Sequence, residues 1–224
     1  MEAASEISGG TLRKRLYGGS LRLSSGIGMN TTDVSPETLI ARPKRADARR
    51  NYEKVLNAAR EAFAEGGEST ALEEIARRAG VGIGTLYRHF PNRQALLEAL
   101  YVNEVEEVCR SAQELDGADP WDALNTWFER VLAYLATKHA LANELLNYFD
   151  RDAALFQVCR TSLYGAGEPL LERAQEAGVV RQDVEFPEVM QMVMGIAKIP
   201  ASDPGQVAHI LRIALDGLRY RPEA

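Results

Sequence analysis

The side chains that could carry catalysis or bind a metal are few and scattered. The three histidines, His89, His139 and His209, lie far apart and pair with no cysteine or carboxylate at metal-ligand spacing. The sequence has no Gly-x-Ser-x-Gly motif and no glycine-rich loop with phosphate-cradling spacing. Cys109 lies in a helical run, which favours an inert, packed thiol. We therefore expect neither an enzyme nor a metal or cofactor site.

The chemistry that the sequence does favour is binding of a polyanion. The net charge is -6, yet residues 41–105 carry 11 basic and 9 acidic side chains, whereas residues 106–224 carry 11 and 19. Between Arg42 and Lys54, six basic side chains oppose two acidic ones. A basic segment beside an acidic body indicates that one end meets a polyanion. A plainly solvated face is the other interpretation of this basic segment.

The segment Ser69–Arg93, STALEEIARRAGVGIGTLYRHFPNR, predicts the elements that would present this chemistry. It encodes two short helices joined by a tight glycine turn, which is a helix-turn-helix arrangement. Gly80 supplies the left-handed conformation of the turn, and Thr70–Glu73 has the spacing of a capping box. Leu86 and Phe90 anchor the second of the two helices, which is the third helix of the domain.

The outward side chains of this third helix suit double-stranded DNA. A short, slim helix fits a major groove that is about 12 Å wide. Thr85 and Tyr87 offer hydroxyl donors to phosphates, His89 offers a ring N–H, and Arg93 adds a cation at the groove edge. Gly84 lets the backbone approach the duplex closely.

Two stretches, RADARRNYEKVLNAAREAFAEGG and LEEIARRAGVGIGTLYRHFPNRQALLEAL, closely resemble the DNA-binding domain of tetracycline-repressor-type (TetR) transcriptional regulators. The resemblance covers roughly residues 46–105. It implies that the third helix enters the major groove and that the segment Arg45–Arg50 flanks the minor groove. It also implies that Thr85, Tyr87, His89 and Arg93 hold phosphates.

The sequence departs from the family pattern at the start of the third helix. Gly82 and Ile83 stand where many members have serine followed by a polar residue. Ile83 offers an apolar contact to a thymine methyl group instead. The complete set of predicted DNA-contacting residues is Arg45, Arg49, Thr70, Ile83, Gly84, Thr85, Tyr87, Arg88, His89 and Arg93.

The predicted fold is all-α, with an N-terminal three-helix helix-turn-helix domain and a C-terminal helical bundle for ligand binding and dimerisation. We place a flexible leader at residues 1–44, the helix-turn-helix domain at 45–92 and the bundle at 93–224. A hairpin around Gly18-Gly19 and a true start at Met29 are alternatives for the leader. In the bundle, Asn92 and Asp119-Pro120 mark helix starts. Further helices are predicted over 121–138, 141–149 and 153–177, the last kinked or split by Gly165, Gly167 and Pro169, and after Pro187 and Pro204.

The resemblance implies that the C-terminal half binds a small effector and dimerises. The two closing helices are apolar on more than one face, which fits packing on both their own subunit and a partner. A homodimer places two recognition helices about 34 Å apart on a near-palindromic operator. The predicted effector pocket is lined by Trp127, Phe128, Val131, Phe149, Phe156, Tyr164 and Met194. For each of these side chains, an ordinary core position is the alternative.

The function predicted from these observations is a DNA-binding repressor that a small-molecule effector releases from its operator. The alternative is an all-α enzyme or adaptor that keeps the helix-turn-helix as a structural element. Two thiols without a secretory signal indicate the cytoplasm, and no apolar run is long enough to suggest a membrane partner.

Overall fold

The computed structural model describes residues 40, 42–148, 153–200 and 203–219. Within these ranges eight α-helices follow one another, and the only β-type pairing is an isolated bridge between Val180 and Arg219. The prediction of an all-α fold is confirmed. Residues 1–39 and 41, and with them most of the predicted leader, its hairpin and Met29, lie outside the described residues. No helix in the described ranges is long and apolar enough to cross a bilayer.

The first three helices form the helix-turn-helix unit. The inner face of the first helix is apolar, as the three- and four-residue spacing of Tyr52, Val55, Leu56, Ala59 and Phe63 predicts, and all five are buried. The helices are α1 (Ala46–Gly66), α2 (Leu72–Ala79) and α3 (Ile83–His89), with a 3-10 turn at Gly67–Ser69 between α1 and α2.

A glycine makes the turn between α2 and α3. Gly80 has a φ of 63°, the left-handed conformation that the sequence predicts there. The Val81 amide donates to the Ala76 carbonyl at 3.0 Å, which closes the end of α2. The Gly82 carbonyl then accepts from the amides of Thr85 and Leu86 and starts α3.

The predicted capping box at the start of α2 is wrong. The residue that precedes α2 is Ala71, and no side chain caps this end. Thr70 is buried, and its hydroxyl lies 3.0 Å from the Ala62 carbonyl and 2.9 Å from the Gly67 carbonyl. The hydroxyl therefore connects the turn to α1. Thr70 stands one residue before the N-cap position, which Ala71 occupies, so its side chain does not cap α2.

Five helices form the C-terminal bundle: α4 (Arg93–Gln113), α5 (Pro120–Leu145), α6 (Ala154–Glu176), α7 (Phe186–Ile196) and α8 (Pro204–Asp216). The predicted starts are confirmed, since Asn92 accepts from the Ala95 amide and Asp119 accepts from the amides of Trp121 and Asp122. The two helices predicted over 121–138 and 141–149 form one continuous helix that ends at Leu145. No glycine or proline stands between the two predicted segments to break the helix.

Helix α6 runs unbroken through Gly165, Gly167 and Pro169, so the predicted split is absent. Gly167 is buried, and a Cβ at this position would overlap the rings of Trp127 and Phe186. These two rings lie 6.0 Å apart between their centroids and belong to α5 and α7. The missing side chain of Gly167 thus permits the close packing of three helices.

Gly167→Ala should lower the free energy of unfolding by about 1–3 kcal/mol, because the added methyl group displaces these rings from a packed core. Gly165→Ala is the matched control, since a Cβ there meets no atom within 4 Å. Alanine is the better helix former, so this control should raise stability by up to about 1 kcal/mol. Urea denaturation followed by circular dichroism measures both, and equal effects would contradict the packing described.

Candidate nucleic-acid interface

Helix α3 is held by two apolar anchors. Leu86 is the buried residue of the helix, and Phe90 is buried directly after its end. The Phe90 ring packs 4.9 Å from the ring of Tyr52 on α1, measured between centroids. Because both anchors lie on one side, the opposite side of α3 faces outward.

Two large apolar side chains stand on this outward side. Ile83 is 38% exposed and Tyr87 is 43% exposed. They are four residues apart on a helix and therefore share a face. The outward side of this seven-residue helix therefore exposes an apolar pair.

Polar donors adjoin this pair. The Arg88 guanidinium folds back along α3, donating through Nε to the Gly84 carbonyl at 3.1 Å and through Nη2 to Thr85 Oγ1 at 2.9 Å. The Thr85 hydroxyl remains able to donate, because it acts here as an acceptor. The surface of α3 thus offers apolar contacts, a guanidinium and hydroxyl donors side by side.

His89 is the last residue of α3 and is half-buried. Its ring lies 6.1 Å from the Tyr52 ring in an edge-on arrangement. Burial, and after it the positive charge of Arg88, lowers the pKa of His89 below 6.5. The lowered pKa favours the neutral imidazole, which has one ring N–H to donate.

The basic segment between Arg42 and Lys54 has fewer unpaired cations than its composition suggests. Three of its six cations pair with carboxylates: Arg42 with Glu106, Arg50 with Asp47, and Arg49 with Glu53 at 3.9 Å. Lys44, Arg45 and Lys54 are exposed and have no carboxylate partner within the described ranges. The face of α2 is also neutralised, since hydrogen bonds from Arg77 and Arg78 lower the pKa of Glu74 to about 2.

Two predicted DNA-contacting residues point inward. The buried hydroxyl of Thr70 is used inside the protein, so its position does not support a side-chain contact with DNA. The Arg93 guanidinium pairs with Glu144 of α5, donates to the Thr70 carbonyl and lies 4.8 Å above the Phe63 ring. Arg93 therefore joins the helix-turn-helix unit to the bundle. No local pattern predicts this pair, because 51 residues separate its members.

Glu144→Ala should lower the free energy of unfolding by about 3 kcal/mol, because it removes the carboxylate that pairs with the partly buried Arg93 guanidinium. The control is Glu53→Ala, whose exposed pair with Arg49 should contribute less than about 1 kcal/mol. Thermal unfolding of both variants measures the difference. A Glu144→Ala variant as stable as Glu53→Ala would remove the ion pair from the list of stabilising contacts.

The side chains predicted to line an effector pocket are mostly packed together. Trp127, Phe128 and Val131 are fully buried, and the Tyr164 ring lies 5.4 Å from that of Phe186. Phe156 is also buried, Met194 is half-buried, and Phe149 lies outside the described residues. A cavity of about 760 Å³ lies elsewhere, between α4 and α6, and no described member of the predicted set lines it. The predicted pocket thus stays a prediction, and three of its aromatic side chains, Trp127, Phe128 and Phe156, belong to the buried core.

Two family models match the chain. The model described as bacterial regulatory proteins, tetR family, matches residues 55–100, which run from α1 into α4. The model described as transcriptional regulator SbtR-like, C-terminal domain, matches residues 119–220. The two matches correspond to the helix-turn-helix unit and the helical bundle.

Solved structures resemble at least three quarters of this chain. The TetR transcriptional regulator SCO0520 from Streptomyces coelicolor is 36% identical, with a TM-score of 0.66, over 75% of this chain and 98% of that chain. The TetR transcription regulatory protein from Mycobacterium vanbaalenii is 32% identical, with a TM-score of 0.66, over 80% of this chain and 100% of that chain. This chain belongs to the TetR family of transcriptional regulators.

Curated relatives match over a shorter length. The transposon Tn10 TetC protein of Escherichia coli is 33% identical over 86 residues, which are 38% of this chain and 44% of that protein. The HTH-type transcriptional regulator UidR of Escherichia coli K12 is 35% identical over 66 residues, which are 29% of this chain and 34% of that protein. The alignments therefore span less than half of each of these relatives.

Proposed function

We propose that this protein is a repressor that binds a near-palindromic DNA operator as a homodimer, with α3 in the major groove. The observation that carries the proposal is the exposed pair Ile83 and Tyr87 on a short helix whose other side is anchored in the core. Ile83 contacts a thymine methyl group, and Tyr87, Thr85 and His89 donate to phosphates.

The basic segment supplies the sequence-independent part of binding. Lys44, Arg45 and Lys54 are the cations that carboxylates leave unneutralised in the described part of the segment. They stand before and along α1, where they attract the phosphate backbone and release counterions from it. The acidic bundle remains turned away from the duplex, because like charges repel.

The closing helix α8 supports the homodimer. Leu211 and Leu215 are buried inside the chain, yet Ile213 between them is 59% exposed. Val207 and Ile210 are only half-buried, which leaves a second apolar stripe on the same helix. A partner copy covers this stripe and sets the separation of the two α3 helices.

Release of the operator follows from a two-state bundle. An effector bound in the C-terminal half favours a subunit geometry in which the two α3 helices are wrongly spaced. The Arg93–Glu144 pair supports this mechanism, since it links α5 to the start of α4 and to the turn at Thr70. A shift of α5 then moves the helix-turn-helix unit.

The direct test is a titration of labelled duplexes followed by fluorescence anisotropy. DNA from upstream of the protein's own gene or a neighbouring gene should bind better than an unrelated duplex. Affinity should fall at least about tenfold between 50 and 200 mM salt. Equal or absent binding at low salt would favour a helix-turn-helix that serves as a structural element.

Tyr87→Ala should weaken binding to every duplex about tenfold, because a phosphate contact carries no sequence information. Tyr148→Ala is the matched control, since Tyr148 is 44% exposed, lies after the end of α5 and is not one of the predicted DNA-contacting residues. The anisotropy titration should leave the control unchanged. Unaltered affinity in Tyr87→Ala would remove this side chain from the interface.

Binding should strengthen as the pH falls from 7.5 to 6.0. Burial lowers the pKa of His89 in the protein, whereas a nearby phosphate stabilises the protonated imidazole and raises that pKa again. DNA binding then takes up a proton, which increases affinity about threefold over this interval. His89→Gln should show no such rise, and a rise of the same size in that variant would exclude His89 as its source.

A further inference from the structure

We propose that the groove between α4 and α6 binds a small organic anion with an apolar body, and that this anion is the effector. The groove runs between residues Glu106–Asp116 on one side and Ser162–Arg173 on the other. Its volume of about 760 Å³ falls in the range of about 300–1,000 Å³ that small-molecule sites occupy. The role as effector rests on the proposed function, whereas binding of the anion does not.

Arg110 is an unmatched cation on the α4 wall of the groove. Each carboxylate three or four residues away from it on the chain pairs with another arginine: Glu106 with Arg42, Glu107 with Arg60, and Glu114 with Arg130. The side chain of Arg110 makes no hydrogen bond or ion pair with any residue in the described ranges. Its guanidinium is therefore available to a carboxylate or sulfonate, which it can bind through two parallel hydrogen bonds.

A second guanidinium lines the groove but is already paired. Arg173 of α6 donates to the backbone carbonyls of Asp116 and Leu115 at 2.8 and 2.9 Å. The Asp116 carboxylate lies 4.0 Å from the same guanidinium and forms a salt bridge with it. Because Glu106 pairs with Arg42, Arg110 is the charged side chain of the lining that has no counter-ion in the described ranges.

The α6 wall consists mostly of small side chains and is largely apolar. Gly165, Ala166, Pro169 and Leu170 line it, and a Cβ at Gly165 would meet no atom within 4 Å. The wall therefore offers an apolar surface. A ligand with a compact apolar body and one anionic group matches both walls.

The groove lies where an occupant can influence the DNA-binding unit. Helix α4 begins immediately after the helix-turn-helix unit, at Arg93, and supplies one wall of the groove. Glu106 of this wall also holds Arg42, which stands just before α1. Separation of α4 from α6 by a ligand is thus transmitted to both ends of the helix-turn-helix unit.

Two fluorescent probes test the groove in the full chain without DNA. The anion 1-anilinonaphthalene-8-sulfonate and the uncharged N-phenyl-1-naphthylamine share one aromatic body and differ in the sulfonate. Arg110→Gln should weaken binding of the anion about fivefold to tenfold and leave the uncharged probe unchanged. Gly165→Leu fills the groove and should weaken both probes at least about tenfold. Thr161→Leu adds the same side chain to α6 outside the groove and should change neither.

Circular dichroism confirms that each variant is folded before titration. Anion binding that Arg110→Gln leaves unchanged would overturn the anionic class of the ligand. Binding of both probes that Gly165→Leu leaves unchanged, or no saturable binding to the wild type, would overturn the groove as a site. Binding of operator DNA without the expected probe binding would support the proposed function and contradict the groove as a ligand site. The expected probe binding without binding of DNA would support the groove as a ligand site and contradict the proposed function.

Discussion

Burial of Leu86 and Phe90 is the constraint on which the rest of the structure depends. Helix α3 has seven residues, and a helix shorter than about 12 residues is marginal in water on its own. Burial of these two side chains, with the Phe90 ring packed against Tyr52 of α1, supplies the stability that α3 lacks. Because both anchors lie on one side, Ile83 and Tyr87 remain exposed on the other, where a duplex can reach them.

Arginine–glutamate pairs determine how the helix-turn-helix unit sits on the bundle. Arg42 reaches Glu106, Arg60 reaches Glu104 and Glu107, and Arg93 reaches Glu144. Such pairs are directional and lose much of their attraction when their geometry changes. Arg42, one of the cations of the basic segment, is thus used for attachment to the bundle, and the surface left for DNA is smaller than the sequence suggests.

Local signals predicted much of the fold, and long-range contacts account for the rest. The left-handed Gly80 and the N-cap at Asn92 were predictable because each acts on its immediate neighbours. Thr70 has the local pattern of a cap, but packing against α1 turns its hydroxyl to the Ala62 carbonyl instead. The position of Arg93 in the sequence predicts a cation at the groove edge, but in the structure Arg93 pairs with Glu144, which is distant in sequence. The cavity between α4 and α6 escaped prediction because its walls are distant in sequence and carry no motif.

Selection from a pool of randomised duplexes tests most directly that α3 reads DNA. The protein should enrich a near-palindrome whose half-sites lie about 34 Å apart, one helical turn, as two recognition helices require. Ile83→Ala should relax the preference at one base pair in each half-site. A pool that stays unenriched, or a selected sequence that is identical for the wild type and a variant in which Ile83, Tyr87 and Arg88 are all alanine, would contradict the role of α3.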